Sequence, residues 1–346
     1  MPDGTKLIQA LEGGKRLLIY LHDSPDPDAM AAGWLLKVIA ESQGLEALML
    51  YGGILGRAEN RAMVRVLDVP VVHLDAARLA RRKDDRHALV DTRPGAGNNS
   101  FPHEELEAHV VVDHHLSQAK IRARFADVRL DEGCSTTLVL QHFDALGLEL
   151  TPPLATAALY AIISETQDLD REASRADRLA YQRLISVAQL ASLGKIRHPS
   201  RDRGYYRAVA RAMSRVMVGK NTCVCHMGAL PYPEVVAEMA DFLVAMQQIS
   251  WSLVTGLHGD LVVLSIRTTI EEGQPDQVMK KLLGGKGKGG GHGMIAGGAV
   301  PGCTPERYRE LTEQLTAGFL DQLGRRVPER LRPLLEEAGA AEDERG

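Results

Sequence analysis

The run His22-Asp23-Ser24-Pro25-Asp26-Pro27-Asp28, directly after the apolar Leu17-Leu18-Ile19-Tyr20-Leu21, constrains this chain more than any other stretch. A short apolar run that ends in prolines reads as a buried strand giving way to a stiffened turn. An imidazole and two carboxylates placed on that turn can converge on one point at the strand's carboxyl end, where open α/β sheets put their chemistry. Three further stretches end in potential metal ligands: His87-Ala88-Leu89-Val90-Asp91, Val110-Val111-Val112-Asp113-His114-His115, and the acidic Glu165-Thr166-Gln167-Asp168. Any one of these residues alone is more often a turn former or a hydrogen-bonded core group. Together they behave differently, because buried carboxylates at close quarters repel one another and need a cation. Mixed imidazole and carboxylate donors suit Mn²⁺, Fe²⁺, Co²⁺ or Zn²⁺, whereas Mg²⁺ tolerates fewer nitrogens.

A length of 346 residues predicts two domains. Strands at 17–22, 46–51, 71–74, 87–91 and 109–113 alternate with helical stretches, one of them opened by Asp28, which argues for parallel βαβ units. From about residue 134 the chain reads as mostly helical, with a helix opened by Ser174 and running to about Leu193. The stretch from Gly194 to Gly204 is the best boundary. The expected division is a catalytic domain over 1–195, a linker and arginine-bearing connecting helix over 196–218, a smaller α/β domain over 219–330, and an acidic tail over 331–346. The second domain predicts strands at 222–227, 251–256, 261–268 and 294–299, with helices at 234–247, 275–283 and 305–323. The run from Gly284 to Gly293 reads as too glycine-dense for regular structure. Overall this is an α/β chain with a doubly wound parallel sheet, a smaller second domain and an active site in the cleft between them.

Formal net charge is −4 and aromatics make up 4%, so there is no overall basic footprint for a long duplex and few stacking platforms for long single strands. No apolar run is long enough to span a bilayer and no leader is evident, so a cytoplasmic protein without a membrane partner is expected. Four cysteines, Cys134, Cys223, Cys225 and Cys303, are too sparse for a disulfide framework. Cys223-Val224-Cys225-His226 reads as buried strand cysteines in preference to a zinc site.

His22-x-x-x-Asp26-x-Asp28, the lone Asp91 at a strand end and Asp113-His114-His115 resemble the first three motifs of the DHH phosphoesterase superfamily. Ser265-Ile266-Arg267 and Gly289-Gly290-Gly291-His292 resemble its associated C-terminal domain. The resemblance covers nearly the whole chain and is nearest to the nanoRNase and phosphoadenosine-phosphate phosphatase branch. It implies two divalent ions, Mn²⁺ first, with Mg²⁺, Co²⁺ or Fe²⁺ as alternatives. His22, Asp26 and Asp91 would hold one ion. Asp28, Asp91 and His114, with a fourth-motif acid, would hold the other, about 3.5–4 Å away. His115 would contact the phosphate or protonate the leaving oxygen, and Asp113 would orient the histidine pair. The fourth motif departs from the family's Asp-Thr pair, leaving Glu165, favoured, or Asp168 for that place. Arg267, Gly290, Gly291 and His292 would grip the phosphate or terminal nucleotide.

The activity so implied is two-metal hydrolysis of short or small nucleotides: nano-oligonucleotides, pAp, or linear and cyclic dinucleotides. That makes the chain a metal-dependent phosphodiesterase or phosphatase, with oligoribonuclease or exonuclease action among its forms. Its rivals are a pyrophosphate or polyphosphate hydrolase, and a nucleotide-binding regulatory protein that lost turnover at the altered fourth motif. A homodimer is compatible with the resemblance, although no stripe in the sequence marks an interface.

Overall fold

The computed structural model describes residues 4–77, 79–116, 121–170, 173–324 and 331–335. The chain divides into two compact units, residues 1–199 and 200–346. The acidic tail expected over 331–346 lies, beyond residue 335, outside the described residues.

In the first unit, β1 (Arg16–Tyr20), β2 (Glu46–Tyr51), β3 (Val71–His73), β4 (Asp85–Val90), β5 (Ala108–Asp113) and β6 (Ala123–Val128) form one sheet in the order β3-β2-β1-β4-β5-β6. Every pairing is parallel. This is the doubly wound order, and its reversal point lies between β1 and β4, the neighbours that carry His22 and Asp91 just past their ends. The alternation of side chains across each strand makes two cores. Leu17, Ile19, Met49, Ala88, Val90, Val110 and Val112 pack under helices. These are chiefly α2 (Pro27–Ser42), α5 (Ser135–Ala145) and α6 (Pro152–Glu165), with α1 (Gly4–Leu11) and α3 (Ala58–Leu67) beside them. Leu18, Tyr20, Leu50, Leu89 and Val111 face the other side, covered by α4 (Leu74–Ala77) and the connection that carries Phe101 and Leu106.

In the first unit the structure departs from the local expectations in four places. Asp26, not Asp28, caps α2, its side chain accepting from Ala29 N at 3.0 Å. β6 has no counterpart among the expected strands. The helical stretch expected between the strands at 71–74 and 87–91 is, among the described residues, only the four-residue α4. The helix expected from Ser174 to Leu193 breaks into α7 (Arg175–Leu184) and α8 (Leu190–Arg197). At that break Gln189 N donates to Thr156 Oγ1 at 2.8 Å, a bond to another helix that no local pattern announces.

The second unit opens with α9 (Arg203–Met213), followed by β7 (Met217–Val218), β8 (Thr222–Ala229), α10 (Val235–Val244), β9 (Trp251–His258) and β10 (Leu261–Thr268). Next come α11 (Pro275–Leu283), β11 (Lys288–His292), β12 (Ile295–Val300), α12 (Pro305–Gln322) and β13 (Arg332–Pro333). The strand order is β11-β12-β10-β9-β8-β7-β13, with α9 and α10 contributing to the core on one face and α11 and α12 to that on the other. The glycine-dense run is regular after all: β11 pairs antiparallel with β12 as an edge strand. A Cβ on Gly289 would meet Leu283 at 2.5 Å and one on Gly298 would meet Met279 at 2.7 Å, so the glycines let α11 lie close against the sheet.

Cys223 and Cys225 are buried, and burial pushes both thiols up to about 12. His226 is fully engaged by Thr255 Oγ1 at 2.7 Å and Thr316 Oγ1 at 2.8 Å, so these residues form core and not a metal site. Among the described residues no helix is long and apolar enough to cross a membrane.

Candidate metal centre

His22 and Asp91 follow the parallel neighbours β1 and β4, and His114 and His115 follow β5, so strand parallelism alone delivers them to one end of the sheet. Asp26 and Asp28 join them from the start of α2, where Pro27 at the first helical position fixes the chain's direction. Two sets of ligand atoms then cluster tightly: His22 with Asp26 and Asp91, and Asp91 with His114 and His115. His22 Nε2 lies 3.6 Å from Asp26 Oδ1 and 3.7 Å from Asp91 Oδ2. His114 Nε2 lies 3.4 Å from Asp91 Oδ1 and 3.8 Å from Asp28 Oδ2. Asp91 thus offers one oxygen to each set, the geometry of a bridging carboxylate. It sits at φ 57°, a left-handed conformation that a non-glycine residue holds only when its surroundings fix it.

The donor chemistry fits a divalent cation. His114 Nδ1 is 3.3 Å from the carbonyl of Glu132, which assigns the proton to that nitrogen and leaves the Nε2 lone pair facing the carboxylates. That Nε2 is buried and has no hydrogen-bond partner, an orphan that a cation would satisfy. Burial and then the Asp28 and Asp26 charges drive the Asp91 carboxyl well above its ordinary range.

Asp28 is buried and already doubly bonded: Ser135 N and Thr136 N, at the start of α5, each donate to it at 2.7 Å. Each carboxylate oxygen keeps a lone pair, so this bonding orients Asp28 without using it up. Ser135 Oγ donates to Asp91 Oδ1 at 3.0 Å. Asp177, fully buried, holds this corner in place by accepting from Gly133 N at 2.8 Å and Thr137 Oγ1 at 2.5 Å. None of Ser135, Thr136 and Asp177 stands among the site residues expected from the sequence. Adjacent serine and threonine residues at a helix start facing a carboxylate motif are the signal that could have found the first two.

Of the two fourth-motif acids, Glu165 ends α6 beside the cluster, where burial and then Asp26 and Asp28 push its carboxyl up to about 7. Asp168 points away to a partly exposed ion pair with Arg197 at 2.9 Å. The turn between them takes Gln167, Asp168 and Leu169 through left-handed backbone, pinned by Thr166 Oγ1, which accepts from Leu169 N at 3.1 Å. His115 Nδ1 lies 2.9 Å from Asp113 Oδ1, and Arg93 donates from Nε to Asp113 Oδ2 at 2.6 Å and from Nη2 to the carbonyl of His115. In the sequence Arg93 is only one more residue at the edge of a loop.

Burial works against the charged His22 ring, yet Asp26 and then Asp91 hold its pKa up to about 9. A metal must displace that proton and any proton on Glu165. Mn²⁺ affinity is therefore expected to rise from pH 6 toward pH 9, with protons released on binding at pH 7.5. Calorimetry in buffers of differing ionisation enthalpy checks this. A pH-independent affinity without proton release would contradict the ligand assignment.

In the second unit, the residues expected to grip substrate share one region of the sheet. Arg267 on β10, Ile295 on β12 and His292 on β11 occupy one cross-strand row. His292 is described for its backbone alone. Arg267 is buried and its guanidinium engages Asp241, Ser265 Oγ at 2.7 Å and the carbonyl of Ile266 at 3.0 Å. Gly290 and Gly291 lie on the exposed edge, where a Cβ on Gly290 meets nothing within 4 Å and one on Gly291 would meet Ile295 O at 2.2 Å.

No family model matches the chain. An uncharacterised protein of Methanocaldococcus jannaschii is 29% identical over 316 residues, which cover 89% of this chain and 64% of that protein. The chain thus spans less than two thirds of the length of this relative. Among solved structures, an exopolyphosphatase-related protein from Bacteroides fragilis is similar at a TM-score of 0.72 and 14% identity, over 93% of this chain and 97% of that one. A DHH domain described as belonging to a family of ribosomal proteins is similar at a TM-score of 0.53 and 13% identity, over 93% and 89% of the two chains. At such identities the likeness is one of fold.

Proposed function

We propose that this chain, whose fold is that of the DHH phosphoesterases, is a metal-dependent phosphoesterase acting on short or small nucleotides. One observation carries the reading: two ligand sets share the buried Asp91 at the reversal point of a doubly wound sheet. His22, Asp26 and Asp91 would hold one divalent ion; Asp91 and His114 would hold the other, with Asp28 and Glu165 completing it in place of His115, whose Nδ1 is taken by Asp113, and Mn²⁺ is the leading candidate. Bound there, the ions would act as Lewis acids toward the phosphoryl group and make a water nucleophilic near neutral pH.

The chain's own residues complete the chemistry. His115 is half exposed at its side chain, and its Nδ1 is committed to Asp113 and lies 3.6 Å from Asp91. Burial opposes its charge, but Asp113 and then Asp91 hold it up to about 9 before any ion shares Asp91, which favours the protonated ring. Its Nε2–H suits a contact to a phosphoryl oxygen or delivery of a proton to the departing oxygen. Asp113 fixes the ring's orientation. Arg267, Gly290, Gly291 and His292 are assigned to the phosphate or terminal nucleotide, with Arg267 pre-oriented by its bonds to Ser265 and Asp241.

The test is release of phosphate and mononucleotide, in Mn²⁺ and after chelation, from pAp, di- to pentaribonucleotides, cyclic dinucleotides, pyrophosphate and short polyphosphate. Metal-dependent release from one nucleotide class supports the proposal and names the substrate. Release from pyrophosphate or polyphosphate alone would replace it with a phosphoanhydride hydrolase. Nucleotide binding without any release would make the chain a regulatory binding protein.

A further inference from the structure

We propose that the outer face of α9 binds the backbone of single-stranded nucleic acid, through a stripe of arginines beside an exposed tyrosine. Arg203, Arg207 and Arg211 recur every fourth residue and all are exposed, so they line one face with successive charges about 6 Å apart along the axis. The opposite face, with Ala208 and Ala212 fully buried, is the one that packs. None of the three arginines forms an ion pair among the described residues. Asp202 at its N-cap is engaged by Tyr205 N at 2.9 Å and by the Tyr232 hydroxyl and also feels the Arg207 charge, while Glu238 of α10 faces Tyr205 on the packed side.

Like charges four residues apart cost a helix stability, and an ordinary solvated face avoids this by mixing signs. α12 does so, with Glu306, Arg307, Arg309, Glu310 and Glu313 in its first turns. A net charge of −4 over the whole chain makes an all-cationic face more conspicuous still. An anionic polymer is the ligand that turns this repulsion into affinity.

The tyrosine selects among polyanions. Tyr206 flanks the stripe, roughly 60° around the helix from Arg203 and roughly 100° from Arg207, is 62% exposed, and is a large aromatic left in water. It is also held in place: its ring meets Tyr205 edge-on at 5.6 Å, and Arg201 sits over the Tyr205 ring at 4.9 Å while pairing with Glu238 at 3.2 Å. A fixed, exposed ring among arginines is a platform on which an unpaired base can stack. Inorganic polyphosphate would have no use for it, and a duplex would hide its bases.

The test is fluorescence anisotropy of the full chain with a fluorescein-labelled 2′-O-methyl-RNA 12-mer, chosen to resist hydrolysis, across a salt series. Arg203→Gln/Arg207→Gln/Arg211→Gln is expected to weaken binding at least tenfold and to flatten the salt slope by about 2, from roughly 0.7 per lost phosphate contact. The matching triple lysine variant should retain most of the affinity, which separates charge from folding. Tyr206→Ala should weaken RNA binding about tenfold and leave the salt slope unchanged. Unaltered affinity in the glutamine variant would overturn the proposal. So would competition by polyphosphate of equal charge, with no loss in Tyr206→Ala. Hydrolysis of the small-substrate panel reads the metal centre separately, so a failure of one reading is not mistaken for a failure of the other.

Discussion

Asp91→Asn is expected to lower metal-dependent hydrolysis on the order of 10³-fold or more and, in chelator, to melt at a higher temperature than the parent. Asp91 is the one carboxylate common to both ligand sets, so its loss disables both ions at once. The stability gain follows from the same geometry, since a buried carboxyl beside Asp28 and Asp26 is driven well above its ordinary pKa by burial and repulsion. A neutral amide removes that repulsion. Asparagine also keeps an oxygen to accept from Ser135 Oγ and tolerates the left-handed φ of 57°. Mn²⁺ should raise the parent's Tm by mass action and leave the variant's where it is. A variant that still responds to Mn²⁺, or that melts below the parent in chelator, would remove Asp91 from the centre. The pH dependence of the parent in chelator has a definite sign. Glu165 and His22 bind protons more tightly folded than unfolded, with folded pKa values of about 7 and about 9. Stability should therefore decline as pH rises between the ordinary carboxylate range and pH 9. Metal affinity rises over the same window, so the Mn²⁺ shift in Tm should be larger at pH 8 than at pH 6.

The residues that cluster were legible in sequence because strand ends are. His22, Asp91 and His114 each lie within two residues of the end of a continuous apolar run, and parallel strands bring such ends together whatever their order. The order itself was not legible. Nothing local says that β4 lies beside β1 while β3 lies outside β2. β6 was missed because its Ala-Arg-Phe-Ala-Asp-Val pattern is polar and half-exposed, as an edge strand's is. The glycine run misled because glycine was weighed as a conformational liberty, whereas Gly289 and Gly298 serve as missing side chains beneath α11. Residues that orient the cluster were the least visible. Ser135 and Asp177 act on residues more than forty positions away along the chain, and only the fold reveals the pairing.

Arg93 is the strongest instance. Its side chain and that of Asp113 are 5% and 1% exposed, and it binds both Asp113 and the carbonyl of His115. Arg93→Met is expected to cost about 3–5 kcal/mol in urea unfolding, since it strands a buried carboxylate. Adding Asp113→Asn should restore a large part, because removing both charges is far cheaper than removing one. Arg93→Lys should fall between, a single ammonium being unable to reproduce the planar fork. Burial opposes ionisation of Asp113, yet the bonds from His115 and Arg93 hold its carboxyl below the usual range. The parent therefore keeps this contribution until the pH falls below that range, whereas in Arg93→Met the carboxyl is no longer held down, so the deficit relative to the parent should shrink on acidification as the stranded carboxylate takes up a proton. Turnover distinguishes scaffold from chemistry: the double variant should stay folded but hydrolyse roughly 10–100-fold more slowly, because His115 has lost the carboxylate that aims it. A loss below about 1 kcal/mol in Arg93→Met would show that solvent reaches this pair, and the orientation of His115 would then need another source.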